Sequence, residues 1–356
     1  MDKKVVAVLF GGKSSEHEVS KMSAATIMAA MDEDKYFVLP IYITKEGRWY
    51  LYDGPRENIS NISDTFWDRF ATPAILSPDT SHGGLMRLIG DKFKLMPVDV
   101  VFPVLHGKNG EDGTIQGLFE LAGIAYVGNG VLASAVAMDK AFTNMVAEKI
   151  GIKIPDYRYF YKRELDEDID AVAKTIRYKI GYPCFVKPAN TGSSVGISMA
   201  SNKKQLIAAL LEAAKYDNKI VVEKRAAGRE LECSVLGNDD PLTSGAGEIT
   251  YEREFYCYEA KYKCTGSQTH TAPELPDEIV AQVKEISLKI YKALGCRGLA
   301  RVDFFLTNDG EVLFNEINTL PGFTNISMYP LLLKEAGIEI EELVDKLIEL
   351  ALEGSQ

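Results

Sequence analysis

Apolar and polar positions alternate along this chain in blocks that predict strand, turn and helix in repeating order. Val5-Val6-Ala7-Val8-Leu9-Phe10 is an unbroken apolar run that stops at Gly11-Gly12, and small and apolar residues then recur at helical spacing to Met31. Ser15 with Glu18 three positions later predicts a capping box at the start of that helix. The pattern returns at Val98 to Leu105, followed by the loop His106-Gly107-Lys108-Asn109-Gly110-Glu111-Asp112-Gly113 and a helix from Thr114. Continuous apolar strands alternating with helices predict a parallel sheet covered on both faces, so residues 1–131 read as an N-terminal α/β domain. Residues 44 to 97 read as a strand pair around Trp49 and polar connections, with no chemistry assigned to them.

A helix from Met138 stops at Gly151 and Pro155. A central region, 132–219, then reads strand, helix, strand, with a charged helix near 166 to 180. The third region, 220–356, enters through Val221-Val222-Glu223-Lys224 and ends in an amphipathic helix.

Within it, Arg301 to Gly322 predicts a hairpin. Asp309-Gly310 suits a two-residue turn with both central φ positive, which sets Asn308 against Glu311, Asp303 against Glu316 and Arg301 against Asn318. All four side chains then share one face, and like charges facing each other call for a cation between them. Two carboxylates and an amide are hard oxygen donors of the kind Mg²⁺ takes, with waters and substrate phosphates completing its shell. A solvent-facing polar strand is the plainer alternative.

The chain has 356 residues and a formal net charge of -11 with pI ≈ 5.1, too acidic for a nucleic-acid surface or an anionic membrane. Its five cysteines have no CxxC spacing, which predicts free thiols in a reducing cytoplasm rather than disulfides or zinc. The first apolar run is too short for a signal peptide or a span.

Two nucleotide motifs fail. Gly12-Lys13-Ser14 lacks the earlier glycine of a P-loop, because that position is Ala7. Gly128-Asn129-Gly130-Val131-Leu132-Ala133 fits a dinucleotide fingerprint, yet it falls at the end of the first domain instead of in the opening turn. Lys187, at the end of an apolar strand and just before Gly192, Ser193, Ser194 and Gly196, is a better phosphate cradle of one ammonium and several backbone N–H groups. His106 falls at the carboxyl end of a strand, where open sheets bind ligands. Glu16 fits a ligand contact or simple helix-dipole satisfaction. Aromatic residues interleaved with Glu259, Lys261 and Lys263 suit a lid over an active site, placed at 251–271 and expected to order when ligand binds.

The six segments GGKSSEHEVS, LHGKNGEDGTIQG, FVKPANTGSSVGIS, FYCYEAKY, RVDFF and FNEINTLPGFTNISMYP stand in an order that resembles the D-alanine–D-alanine ligase family over essentially the whole length. The resemblance implies a three-domain ATP-grasp fold and joining of two D-alanine molecules for peptidoglycan through an acyl phosphate. By position it implies ATP contacts at Lys140, Lys187, Glu223, Lys224 and Glu230. Two Mg²⁺ ions, replaceable by Mn²⁺, would lie on Asp303, Glu316 and Asn318. Arg301 and the Gly322 N–H would stabilise the oxyanion, and Lys261 would reach the γ-phosphoryl group. Glu16 would hold the first D-alanine's ammonium with His106 near its carboxylate, and Ser193 and Tyr262 would bond to Glu16. Ser327 would receive the second substrate beside Met328, where relatives that join D-alanine to D-serine or D-lactate carry arginine. A homodimer and a cytoplasmic location are implied in the same way.

Overall fold

The computed structural model describes residues 3–62, 70–251 and 267–353. It is a mixed α/β structure built on three sheets.

The first unit runs β1 (Lys4–Gly11), α1 (His17–Ala30), β2 (Tyr36–Ile43), β3 (Trp49–Tyr52), β4 (Ala71–Leu76), β5 (Gly84–Ile89), β6 (Lys92–Pro97), β7 (Val100–Val104), α2 (Thr114–Ala122) and β8 (Ala125–Tyr126). They form one eight-stranded sheet in the order β6-β5-β4-β3-β2-β1-β7-β8. The block β2-β1-β7-β8 is parallel, as the apolar runs predict. Val6, Val8 and Phe10 face α1 through Ala24, Ile27 and Met28, whereas Ala7 and Leu9 pack the opposite face with Phe119.

Two expectations need correction here. Residues 44–97 hold four strands, β3 to β6, which extend the sheet antiparallel. Sheets with one wet face give no continuous apolar run, and every residue of β6 is exposed or half-buried. The capping box is also not formed: Glu16 is the N-cap of α1 with no side-chain cap bond, and Glu18 pairs instead with Lys21 at 2.6 Å and Lys45 at 2.8 Å.

The central unit follows α3 (Val131–Met138) and α4 (Lys140–Lys149), with β9 (Tyr157–Tyr161), α5 (Lys162–Lys179), β10 (Cys184–Pro188), β11 (Ser198–Ala200), α6 (Lys203–Ala213) and β12 (Lys219–Lys224). The helix expected from Met138 thus begins at Lys140. Asp139 caps it, accepting from the N–H groups of Ala141 at 3.1 Å and Phe142 at 3.2 Å. The four-stranded antiparallel sheet runs β11-β10-β12-β9 and buries Val186, Ile220 and Val222 against Val172, Ile176, Leu206 and Leu210 of α5 and α6. Because β12 lies wholly in this sheet, the expected boundary at 219/220 falls inside a strand.

The third unit has β13 (Gly228–Leu236), β14 (Leu242–Tyr251), β15 (Ser267–His270), α7 (Asp277–Ala293), β16 (Leu299–Thr307), β17 (Val312–Asn318), α8 (Met328–Glu335) and α9 (Ile340–Glu353). Its five-stranded antiparallel sheet is ordered β15-β14-β13-β16-β17. One face buries Val302, Phe304 and Phe314 against Val283, Ile290 and Tyr291 of α7, and Ala133, Ala137 and Ala147 of α3 and α4 join that core. The terminal helix α9 packs on the first sheet: Leu343, Val344, Leu347 and Ile348 share a core with Val6, Val8 and Val100.

In the hairpin, Arg301 faces Asn318 and Asp303 faces Glu316, as the sequence predicts, but by another route. The turn is not the two-residue one. The Thr307 N–H donates to the Glu311 carbonyl at 2.9 Å, leaving a three-residue loop closed by Gly310 at φ 81°. The register then shifts between Asp303 and Phe304, where Phe304 faces Phe314, and this bulge beside Asn315 restores the pairing at the site.

Candidate active site

The three units meet at one cleft of about 710 Å³. Its first wall comes from the N-terminal sheet. Gly11 and Gly12, at φ 88° and 94°, turn the chain sharply after β1, and a Cβ at Gly11 would lie 2.3 Å from the Ile43 carbonyl oxygen, so only glycine fits. The turn delivers Glu16 to the cleft, buried at 8 % exposure. Beneath it, His17 Nδ1 lies 2.7 Å from the Gly12 carbonyl and Nε2 2.8 Å from the Tyr42 hydroxyl.

Ser193 donates to Glu16 Oε1 from the loop after β10. Ser193 and Ser194 hold φ of 49° and 59°, left-handed values uncommon outside glycine, so this loop is bent where the central unit meets Glu16. His106 is also buried in the cleft wall. Its Nδ1 is 3.1 Å from the Leu320 carbonyl and 3.7 Å from Glu111 Oε1, and Nε2 is 3.4 Å from Ser23 Oγ. Burial works against a charge on this imidazole, but the hydrogen bond and charge of Glu111, the charge of Glu16 and the Leu320 carbonyl outweigh it and raise its pKa. Burial, then the charge of Glu16, raises the Glu111 carboxyl as well.

The second wall brings Lys140 to the cleft, whereas Lys187, Glu223, Lys224 and Glu230 lie outside its lining. Lys140, at the start of α4, donates to the Thr191 carbonyl at 2.7 Å and reaches Glu316 Oε2 at 4.0 Å. Lys187, near the end of β10, is buried with its ammonium 2.5 Å from Glu223 Oε2 on β12 and 3.4 Å from Asn315 Oδ1. Burial disfavours this charge, yet Glu223, Glu316 and Glu230 raise its pKa and keep the lysine protonated. Asn144 of α4 holds the other oxygen of Glu223 at 3.4 Å. Glu230 lies farther along β13, while the Lys224 side chain is exposed, 4.0 Å from Asp156.

The third wall is the face of the C-terminal sheet opposite α7. Arg301 Nε and its terminal nitrogen lie 2.8 and 2.7 Å from the two oxygens of Asp303, and Nε is 3.0 Å from Glu232 Oε2. Burial opposes that charge, but Asp303, Glu232 and Glu316 hold the guanidinium pKa well above its ordinary value. Glu316 and Asn318 line the cleft, and Asn318 Oδ1 accepts from the Leu320 N–H at 3.0 Å. Gly322, Ser327 and Met328 close this end. Ser327 Oγ would lie 2.8 Å from a Cβ at Gly322, and the Met328 methyl 2.4 Å from one at Gly247. Lys261 and Tyr262 lie outside the described residues.

The match to known proteins is decisive. The N-terminal model of the D-ala D-ala ligases matches residues 5–129 and the C-terminal model residues 146–349. This chain belongs to the D-alanine–D-alanine ligase family. It is 50% identical to the D-alanine–D-alanine ligase of Acetivibrio thermocellus over 99% of this chain and 96% of that relative. It is 49% identical to that of Caldicellulosiruptor bescii at the same coverage. Among solved structures, the VanG D-Ala:D-Ser ligase of Enterococcus faecalis superposes with TM-score 0.90 at 39% identity, covering 98% of this chain and 100% of that one. The D-alanine–D-alanine ligase of Coxiella burnetii does so with TM-score 0.87 at 36% identity, covering 99% and 96%.

As a member of this ligase family the chain uses the ATP-grasp fold, with the central and C-terminal sheets as its two jaws. Among the described residues, no three His, Cys, Asp or Glu side chains converge as a complete metal cage. The donor set still fits Mg²⁺, because Asp303, Glu316 and Asn318 offer two carboxylates and an amide oxygen, and such an ion keeps waters and phosphates in its shell. Sequence reasoning assigned no role to Glu111 or Glu232. Glu111 stands in a polar loop where nothing local distinguishes it from Asp112 beside it. Glu232 alternates with buried apolar residues on β13, and period-two polarity was its only signal.

Proposed function

We propose that this ligase uses ATP to join two D-alanine molecules into D-alanyl-D-alanine, a peptidoglycan precursor, in the cytoplasm. The first D-alanine's carboxylate attacks the γ-phosphorus and ADP leaves. The second D-alanine's amine, having lost a proton, attacks the acyl carbon, and inorganic phosphate leaves.

The observation that carries this reading is the meeting of Glu16 and Ser193 with Arg301 and Gly322 across a single cleft that Lys140 also enters. Glu16 would bind the first substrate's ammonium, and His106, whose pKa Glu111 raises against burial, would face its carboxylate. Arg301 and the Gly322 N–H would stabilise the oxyanion as it forms, a preorganised charge that needs no reorganisation in the transition state. Lys140 and Lys187 would hold phosphate oxygens, Glu223 and Lys224 the adenine, and Glu230 the ribose. Lys261 would reach the transferring phosphoryl group, and Tyr262 would close over Glu16. Two Mg²⁺ ions on Asp303, Glu316 and Asn318 would offset the phosphate charge and polarise the γ-phosphoryl group; Mn²⁺ suits the same oxygen donors. Phosphate release from ATP that requires both Mg²⁺ and D-alanine is the expected result, and release without D-alanine would overturn the reading.

For the second substrate we favour D-alanine over D-serine, although one structural neighbour is a D-Ala:D-Ser ligase. Met328 is buried at 3 % exposure against Gly247, and its apolar side chain offers no donor for a hydroxyl. In a competition assay read by mass spectrometry, D-alanyl-D-alanine should dominate, D-serine should react slowly and D-lactate negligibly. A dominant mixed product would reverse the preference while leaving the ligase reading intact.

A further inference from the structure

On the cleft face of the C-terminal sheet three carboxylates stand in one row. Glu232 on β13 faces Asp303 on β16, and Asp303 faces Glu316 on β17. Facing residues on neighbouring strands have Cβ atoms about 5 Å apart, so an uncompensated row of this kind repels itself. Arg301 offsets it. The guanidinium takes both oxygens of Asp303 at 2.7 and 2.8 Å and also touches Glu232 at 3.0 Å. Glu232 and Asp303 are nearly inaccessible, at 7 % and 8 % exposure.

Each Asp303 oxygen already accepts one N–H of Arg301, and a divalent cation on the same carboxylate draws its charge away from the guanidinium. When a cation takes Asp303, the guanidinium loses part of its grip, and among the described residues the other carboxylate it pairs with is Glu232. Truncating one partner of a buried ion pair leaves a charge uncompensated, so Arg301 needs a second anchor to stay in the cleft.

We propose that Glu232 is the positioning residue that retains Arg301 when metal binds Asp303. The guanidinium is handed from one carboxylate to the other, and its freed edge is left for the developing oxyanion. This rests on the metal and oxyanion roles proposed above, and it makes Glu232 act through Arg301, not on the substrate.

The test is Glu232→Gln, which keeps the side-chain shape and removes the charge. Two quantities are read: Mn²⁺ affinity of the ADP complex, by electron paramagnetic resonance, and kcat with KM for ATP. With Glu232 neutral, Arg301 stays clamped on Asp303. Mn²⁺ affinity and kcat should each fall about tenfold or more while KM for ATP stays within about twofold. In an Arg301→Lys background, which lacks the planar fork, the same substitution should add little to either loss. Wild-type Mn²⁺ affinity and kcat in Glu232→Gln, or losses that add in full in the double variant, would overturn the proposal. If the glutamine variant does not fold, Glu232→Asp keeps the charge but withdraws it by one methylene; intermediate losses on both measures support the proposal and wild-type values overturn it. The unmodified enzyme is the control. Failure of Mg²⁺-dependent D-alanine ligation there sinks the functional reading itself, whereas normal ligation with an unperturbed Glu232→Gln sinks only the role of Glu232.

Discussion

At the residue scale, this site is an arrangement of buried charges that hold one another in place. Glu316 faces Asp303 across the hairpin and lies 4.0 Å from Lys140, so it stands between the proposed metal donors and a proposed phosphate lysine. Glu316→Gln should lower phosphate release at least about a hundredfold while the circular dichroism spectrum and melting temperature stay near those of the parent, because one metal-facing charge is lost without a change of shape. Near-normal turnover in the folded variant would remove the hairpin from the mechanism. For His106 the pKa lies above 6.5, raised by Glu111 and Glu16 against burial. A raised histidine contributes stability that is complete below its unfolded pKa and fades as pH rises through the folded one. The hold on a substrate carboxylate proposed for it should fade over the same interval. The profile of kcat/KM for D-alanine should therefore show an alkaline fall near the raised pKa, and Glu111→Gln should move that fall to lower pH. An unmoved limb would exclude the Glu111 and His106 pair from carboxylate binding.

At the scale of elements, the dinucleotide-like stretch Gly128 to Ala133 does structural work. The buried Asn129 amide donates to the carbonyls of Leu299 at 2.6 Å and Thr319 at 3.0 Å, and its oxygen accepts from the Arg297 N–H at 3.0 Å. It ties the start of β16 to the chain just beyond β17, the two strands that carry Arg301, Asp303, Glu316 and Asn318. Gly298 approaches Gly128 so closely that a Cβ there would lie 3.3 Å from the Gly128 nitrogen. Asn129→Ala strands buried backbone groups at a cost of about 1–3 kcal/mol each, and a clear drop in melting temperature is expected by scanning calorimetry. If Asn129→Ala melts with the parent protein, the stretch is not a latch.

At the scale of the whole molecule, the first and third units share a core, while the central unit keeps its own. Tyr36 donates to Asp345 of α9, and Lys35 lies 2.7 Å from the same carboxylate, so the last helix is bound to the first sheet by charge as well as by apolar contact. Leu347→Ala, at a fully buried position of α9, should destabilise the joined pair by about 2–5 kcal/mol. Hydrogen exchange should then rise in β1 and β7 and stay unchanged in α5 and α6, whose core of Val172, Ile176, Leu206 and Leu210 is separate. Equal loosening of all three units would contradict this division.

The sequence by itself determined the strands β1 and β7 of a parallel sheet, the facing of Asp303 with Glu316 and the membership of this ligase family. Each of these is written in local signals: unbroken apolar runs, glycine turns, and short motifs in fixed order. The facing pair is instructive, since a loop one residue longer than expected is cancelled by a bulge beside Asn315, and counting outward from the turn reached the right partners for a reason that packing supplied. Tertiary structure alone decided the antiparallel arm β3 to β6, the docking of α9 on the first sheet and the partners of Glu111 and Glu232. An exposed strand edge carries no apolar run, an amphipathic helix does not encode which face it will cover, and a carboxylate's partner depends on strands far apart in the chain. These choices follow from burying apolar surface and pairing charge at the same time, which no window of sequence contains.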